Sequence, residues 1–254
     1  MAQPSSTTAR SSFGVTMRRD AWWVELIPVI LVLGAFTVYA TWRTFENGYY
    51  ESGPYLSPFY SPLLKPRWWP LSPAILILWA PLGFRATCYY YRKAYYRAFF
   101  LDPPACAVGE SRPYRYIGET RFPFIIQNLH RYFLYIAIVF LVILWYDAIT
   151  AFWFTAAGGK HFGVGIGSLI LLVNIILLTA YALSCHSLRH IVGGDVDCFS
   201  CVVAGGPRHS AWRSVSFLNE HHMLFAWLSL FSVALADLYV RLAASGTITD
   251  FRLL

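Results

Sequence analysis

Apolar and polar positions in this chain alternate in long blocks, not in short periods. Five apolar blocks run over about 22–42, 73–95, 124–154, 163–190 and 217–244, with polar or mixed segments between them. A helix rises about 1.5 Å per residue, so crossing a hydrocarbon core of about 30 Å takes roughly 20 residues. Each block reaches that length, and Pro81 interrupts the second. Trp22, Trp23, Trp42, Trp68, Trp69, Tyr95, Tyr96 and Trp153 gather near the block ends, as interfacial belts do. The alternating strands of about ten residues that mark a membrane barrel are missing. The pattern predicts an all-α integral membrane protein, a five-helix transmembrane bundle over 22–254 preceded by a tail over 1–21.

The segment 44–72 carries five prolines and many tyrosines, which predicts an ordered, irregular cap. The first 16 residues are rich in Ser, Thr and Ala and read as disordered. No internal repeat is visible, which counts against an inverted-repeat transporter.

Composition agrees with the block pattern. Of 254 residues 57% are hydrophobic, 18% aromatic and only 13% charged, and mean hydropathy is +0.48. A soluble domain carries roughly 25% charged residues. The net charge of +7 does not point to nucleic acid, because no basic stripe with stacking aromatics lies on a polar domain.

The basic residues are unevenly shared between alternate loops. Arg10, Arg18 and Arg19 lie in the tail; Arg92, Lys93, Arg97, Arg112, Arg115 and Arg121 follow block two; Arg189, Arg208 and Arg213 follow block four. Those twelve stand against four in the other loops, Lys65, Arg67, Lys160 and Arg252. Positive-inside asymmetry places the N-terminus in the cytoplasm and the C-terminus outside, in a multi-pass protein of the plasma (inner) membrane. Arg18-Arg19 is followed at once by Asp20, and no convincing small-residue cleavage site ends block one, so an uncleaved first span is expected.

On this topology all five cysteines, Cys88, Cys106, Cys185, Cys198 and Cys201, lie at the cytoplasmic end, as do six of seven histidines; His161 is the exception. Exported disulfide frameworks would put cysteines on the other side. Ligation or redox work suits these thiols better than bridging. His186 and His190 are four apart and share a helical face, and Cys198-Phe-Ser-Cys201 follows a Gly193-Gly194 break. A lone C-x-x-C is a weak zinc or iron signal, equally a pair of loop thiols. His130, Glu220-His221-His222 and Cys88 bring further donors to similar depth. A b-type haem needs two facing histidines, which His130 or His186 with His222 supplies. A second pair for a di-haem anchor is missing. Mixed Cys and His donors suit a Rieske-type [2Fe–2S] centre, two Cys on one iron and two His on the other, with structural zinc the plainer reading.

The stretches Arg85-Ala-Thr-Cys-Tyr-Tyr-Tyr-Arg-Lys-Ala-Tyr-Tyr-Arg97, Pro103-Pro-Ala-Cys-Ala-Val108, Cys185-His-Ser-Leu-Arg-His190 and His221-His-Met-Leu-Phe-Ala-Trp227 resemble those of an actinobacterial complex II anchor. The resemblance, over roughly residues 20 to 254, is to the single-chain, five-helix, haem-free membrane subunit of succinate dehydrogenase. It implies a flavoprotein and an iron–sulfur subunit docked on the cytoplasmic face, electrons leaving on a quinone (menaquinone or ubiquinone), and an embedded Rieske-type cluster. Soluble Rieske ligands sit on paired loop motifs, whereas these candidates come from helix ends. Within a membrane, helix-borne residues are the better ligands, so Cys88 and Cys185 are the expected thiolates, with two of His186, His190 and His222. Cys198 with Cys201, and Cys106, are the alternatives. For the quinone the candidates are Tyr89, Arg92, Gln127 and His130, with Trp227 as a stacking wall. A haem b anchor and, in another class, a multi-helix transporter using Asp147 and Asp237 are the competing readings. Asp237 and Arg241, four apart, read as a pair neutralising itself across one turn.

Overall fold

A computed structural model describes residues 13–110, 118–156 and 159–254. Arg10, Arg112 and Arg115 of the charge count, and the tail up to residue 12, lie outside them.

The described residues are mostly helical, with two short antiparallel strand pairs among them. Helix α1 spans Leu26–Glu46, α2 Pro73–Thr87, α3 Tyr89–Tyr95, α4 His130–Thr150, α5 Ile166–Leu183, α6 His186–Arg189, α7 Gly205–Glu220 and α8 His222–Ala244. A 3-10 turn over Phe124–Leu129 leads into α4. Among the described residues four helical runs are long and apolar enough to cross a membrane: Leu26–Glu46, Phe124–Thr150, Ile166–Leu183 and His222–Ala244. The second expected block is shorter, an apolar helix of 15 residues over Pro73–Thr87. Its break is not at Pro81, which the helix absorbs, but at Cys88, whose backbone is extended (φ −63°, ψ 128°) before α3 restarts. The fourth block ends early in the same way. Cys185 is extended (φ −63°, ψ 134°) between α5 and α6.

The chain divides into two compact units, Met1–Tyr39 with Cys88–Gln127, and Ala40–Thr87 with Asn128–Leu254. In the larger unit α5 packs along α8. The buried stripe of α8 contains Ala226, Ser229, Val233, Ala236 and Val240, spaced three and four apart. Small side chains let two backbones approach where lipid supplies no hydrophobic drive between helices. Ser232 Oγ donates across this seam to Asn174 Oδ1 at 3.0 Å. α2 meets α4 as closely: a Cβ added at Gly83 would overlap the Phe133 ring.

The segment 44–72 is the ordered cap its prolines predict. Glu51–Ser52 pairs with Tyr55–Leu56 (β1 and β2), and Pro58–Tyr60 forms a 3-10 turn in which Ser57, Phe59 and Tyr60 are buried. Ser57 Oγ donates to Asp237 and Ser61 Oγ to Asp147, which accounts for both deep carboxylates. Arg241 donates to Asp237 Oδ2 at 2.8 Å and to Glu46 Oε2 at 2.6 Å, so the expected i,i+4 pair is a triad reaching the end of α1. The remaining strands, Trp153–Ala156 and Gly159–Phe162 (β3 and β4), pair after α4.

Candidate functional site

Each unit carries a group of chemically active side chains. In the larger unit it is built on the broken end of α5. The extended backbone at Cys185 turns its thiol inward, where the residue is buried, and leaves His186 exposed. Cys185 Sγ lies 3.0 Å from His130 Nε2 at the start of α4. Thr87 Oγ1, at the end of α2, lies 2.9 Å from His130 Nδ1 and donates to the Gly83 carbonyl at 2.7 Å. A hydroxyl has one hydrogen. With that hydrogen on Gly83, His130 must donate from Nδ1, and its Nε2 lone pair faces the thiol.

The same logic recurs at His222. Ser184 Oγ donates to the Tyr181 carbonyl at 2.9 Å and lies 2.7 Å from His222 Nδ1, so His222 also donates from Nδ1 and keeps Nε2 as acceptor. Aromatic rings join the two imidazoles. Phe84 stacks on His130 with centroids 4.8 Å apart, Tyr181 stacks on His222 at 5.2 Å, and Phe84 meets Tyr181 edge-on at 5.4 Å. The Arg85 guanidinium lies 4.7 Å from the Tyr181 ring centroid and donates to Ser229 Oγ at 3.0 Å. A cation inside an apolar helix is expensive and marks function more often than packing.

The smaller unit holds the second group. Arg92 on α3 pairs with Glu119 at 3.0 Å, and its guanidinium lies 5.3 Å from the Tyr89 ring and 5.4 Å from Phe124. Gln127 is buried and hydrogen-bonds the Tyr95 side chain. Its Oε1 finds no donor among the described residues. Buried amide oxygens are nearly always satisfied, so an orphan of this kind calls for a ligand or water.

Residues 24–246 match the model of the family described as actinobacterial succinate dehydrogenase subunit SdhC. The chain belongs to that family. A chain of the solved structure "Mycobacterium smegmatis Sdh1 complex in the apo form" is similar to this SdhC-family chain at 45% identity, with a TM-score of 0.82 and 94% of each chain covered. No curated protein matches it. It is therefore a multi-pass membrane anchor subunit of an actinobacterial succinate dehydrogenase. Fold class and family agree with the reading of the sequence. The transporter reading is overturned.

Of the expected ligand set of this SdhC-family chain, Cys185 meets an imidazole. His186 and His190 are exposed and face each other, Nε2 to Nε2 at 3.0 Å, away from Cys185. His222 holds Ser184, and the imidazole against Cys185 belongs to His130, a residue assigned to the quinone. Cys88 is buried in the other unit. Cys198 and Cys201, with Cα atoms 5.3 Å apart, are disulfide-bonded to each other, which corrects the expectation that all five thiols stay unbridged. Cys106 is exposed. Among the described residues no group of three or more His, Cys, Asp and Glu could hold a metal ion. Cys185 and His130 in contact are one thiol and one imidazole, two of the four donors that a Rieske-type cluster takes. His130 does not present an open nitrogen to a haem, since Nε2 is directed at Cys185.

Of the quinone candidates, Tyr89, Arg92 and Gln127 come together in the smaller unit. His130 lies in the larger one, as does Trp227, which stacks on Phe231 of its own helix. Arg85, Thr87 and Ser184 were not among the expected residues. Their signals were present: a cation inside an apolar run, and a hydroxyl residue directly before each buried cysteine, in Thr87-Cys88 and Ser184-Cys185.

Proposed function

We propose that this subunit reduces a membrane quinone with electrons delivered by an iron–sulfur subunit that, with its flavoprotein partner, docks on the cytoplasmic face. Oxidising succinate to fumarate releases two electrons and two protons, and a quinone taking up two of each becomes the quinol. The observation that carries the reading is the buried, unsatisfied Gln127 Oε1 in a setting of Arg92, Tyr95, Phe124 and Tyr89. Quinone sites need an apolar slot with a few placed polar groups. Arg92 supplies a charged donor for one carbonyl oxygen, Gln127 Oε1 accepts from the hydroxyl that forms as the quinone is protonated, and the aromatic rings wall the slot. Basic residues around α3 and the twelve-to-four charge asymmetry support docking of the partners on that side.

Gln127→Leu tests this in the assembled complex. The expected result is a rise in quinone KM of about fivefold, the worth of one neutral hydrogen bond. Succinate oxidation by an artificial dye that accepts electrons ahead of the membrane subunit stays unchanged. Unaltered quinone kinetics would sink the assignment.

The contact between Cys185 and His130 favours a second reading, in which these two residues belong to the ligand set of an embedded iron–sulfur cluster. A cluster supplies one-electron transfer. The chain's own contribution is a histidine held by Thr87 with Nε2 as its acceptor, the orientation a ligating imidazole needs. Iron bound per complex, with low-temperature EPR, decides it: Cys185→Ala is expected to lower both, and a variant with full iron and unchanged signals rules the reading out.

A further inference from the structure

The polar segment between α5 and α8 contains a cavity that neither the quinone site nor the thiol–imidazole pair uses. It has a volume of about 380 Å³ and is lined by Arg189, His190, Gly193, Gly194, Val196, Phe199 and Trp212. Arg189 is its charged wall. The guanidinium lies 5.0 Å from the Trp212 ring centroid and donates to Ser216 Oγ at 2.9 Å, an arrangement that fixes the plane of the fork. Neither partner is acidic. The carboxylate closest in sequence, Asp195, is taken by Arg208 at 2.6 Å, and Asp197 does not line the cavity. Among the described residues no carboxylate lines the space, and Arg189 forms no ion pair.

Shape adds a second constraint. Gly193 and Gly194 line one side of the cavity, where ring side chains pack directly against the backbone. A Cβ at Gly193 would lie 2.8 Å from Trp212 and 2.9 Å from Phe199, and one at Gly194 would run into the His190 ring. Phe199 stands between Cys198 and Cys201, whose disulfide ties down the turn that carries it. One flank is thus aromatic and apolar, the other cationic. The membrane-crossing helix α5 stops at Leu183 and α8 begins at His222, so the cavity belongs to the segment joining two span ends.

We propose that this cavity binds a phosphate group, with Arg189 on the phosphate oxygens and Phe199, Val196 and Trp212 against the apolar part of an anionic lipid. Guanidinium forks match phosphate geometry, and basic pockets at span ends take lipid headgroups. The proposal is independent of the quinone assignment.

Native mass spectrometry of the intact succinate dehydrogenase complex, offered phosphatidylglycerol or phosphatidylcholine in mixed micelles, tests it. The wild type is expected to retain phosphatidylglycerol in preference to phosphatidylcholine. Arg189→Gln and Gly194→Val are each expected to weaken that retention about fivefold. Flavin content and dye-linked succinate oxidation, equal in all three proteins, verify that the complex has assembled. If inorganic phosphate does not displace the lipid, the group bound is a lipid headgroup. If it does, in an Arg189-dependent way, the site takes free phosphate as well. Equal retention of both lipids, or equal retention of phosphatidylglycerol by wild type and both variants, overturns the proposal.

Discussion

Thr87 and Ser184 each spend their single hydroxyl hydrogen on a backbone carbonyl, at Gly83 and Tyr181. Each oxygen then accepts from a histidine, which fixes the tautomers of His130 and His222 without any carboxylate. Thr87→Val keeps the shape at position 87 and removes the acceptor. His130 Nδ1–H is then buried without its partner, at a cost of about 1–3 kcal/mol. The thermal midpoint of the detergent-solubilised complex is expected to fall, with Thr87→Ser restoring most of the loss. Equal midpoints for Val and the wild type would show that Thr87 does not hold the ring. Such relations were only half legible in the sequence. Cys185, His130 and His222 are visible as donor types, and their similar depth follows from the spans. Which donors meet depends on where α5 stops. A continuous helix would set Cys185 and His186 about 100° apart on one surface. The extended residue at 185 instead separates them, one buried and one exposed.

At the scale of elements, helix ends are where the sequence misleads most. Pro81 reads as a breaker, yet α2 continues to Thr87, and neither Cys88 nor Cys185 carries a breaking signal of its own. Tertiary contacts override local propensity there, which a single sequence does not display. The start of α5 gives the converse case, since its cap comes from the far end of the chain. Asp250 accepts from the Gly167 amide at 3.0 Å and from the Tyr55 and Tyr239 hydroxyls, each at 2.6 Å. Around it the last residues pair with the chain before α5, Leu253 N to Val164 O at 2.7 Å and Ile166 N to Phe251 O at 3.1 Å. Burial first, and then Asp250, pushes the Tyr55 hydroxyl from 10.0 up to about 12. A folded-state value above the unfolded one means that the native chain holds this proton more tightly. The resulting stability is fully present below pH 10 and is lost as the pH rises towards 12. Asp250→Asn removes the carboxylate that supports both hydroxyls. It is expected to lower the thermal midpoint at neutral pH and to flatten the alkaline decline between pH 10 and 12 relative to wild type. Superimposable midpoint-versus-pH curves would contradict the role given to Asp250.

For the whole molecule the open quantity is parity. Block lengths made a multi-pass helical protein plain. Whether the chain crosses four times or five turns on the second block, where α2 has 15 residues and α3 restarts only after Cys88. An α-helix of that length covers about 22 Å, short of a core of about 30 Å. A crossing by the second block would therefore need more residues than α2 supplies. An odd number of crossings puts the two ends of the chain on opposite sides, and an even number puts them on the same side. The charge asymmetry is largest for the odd number, twelve basic residues against four with the N-terminus on the basic side; dropping the second block would leave five on the side of the N-terminus and eleven on the other. We expect five passages, with the N-terminus in the cytoplasm and the C-terminus outside. A reporter that is active only outside the membrane should work when fused after Leu254 and fail when fused before Met1, and a cytoplasm-dependent fluorescent reporter should show the reverse. Both ends reporting the same side would leave α2 and α3 as a re-entrant element. The loop after α3, with the docking surface proposed there, and the segment that joins α5 to α8 would then both face the compartment opposite the N-terminus.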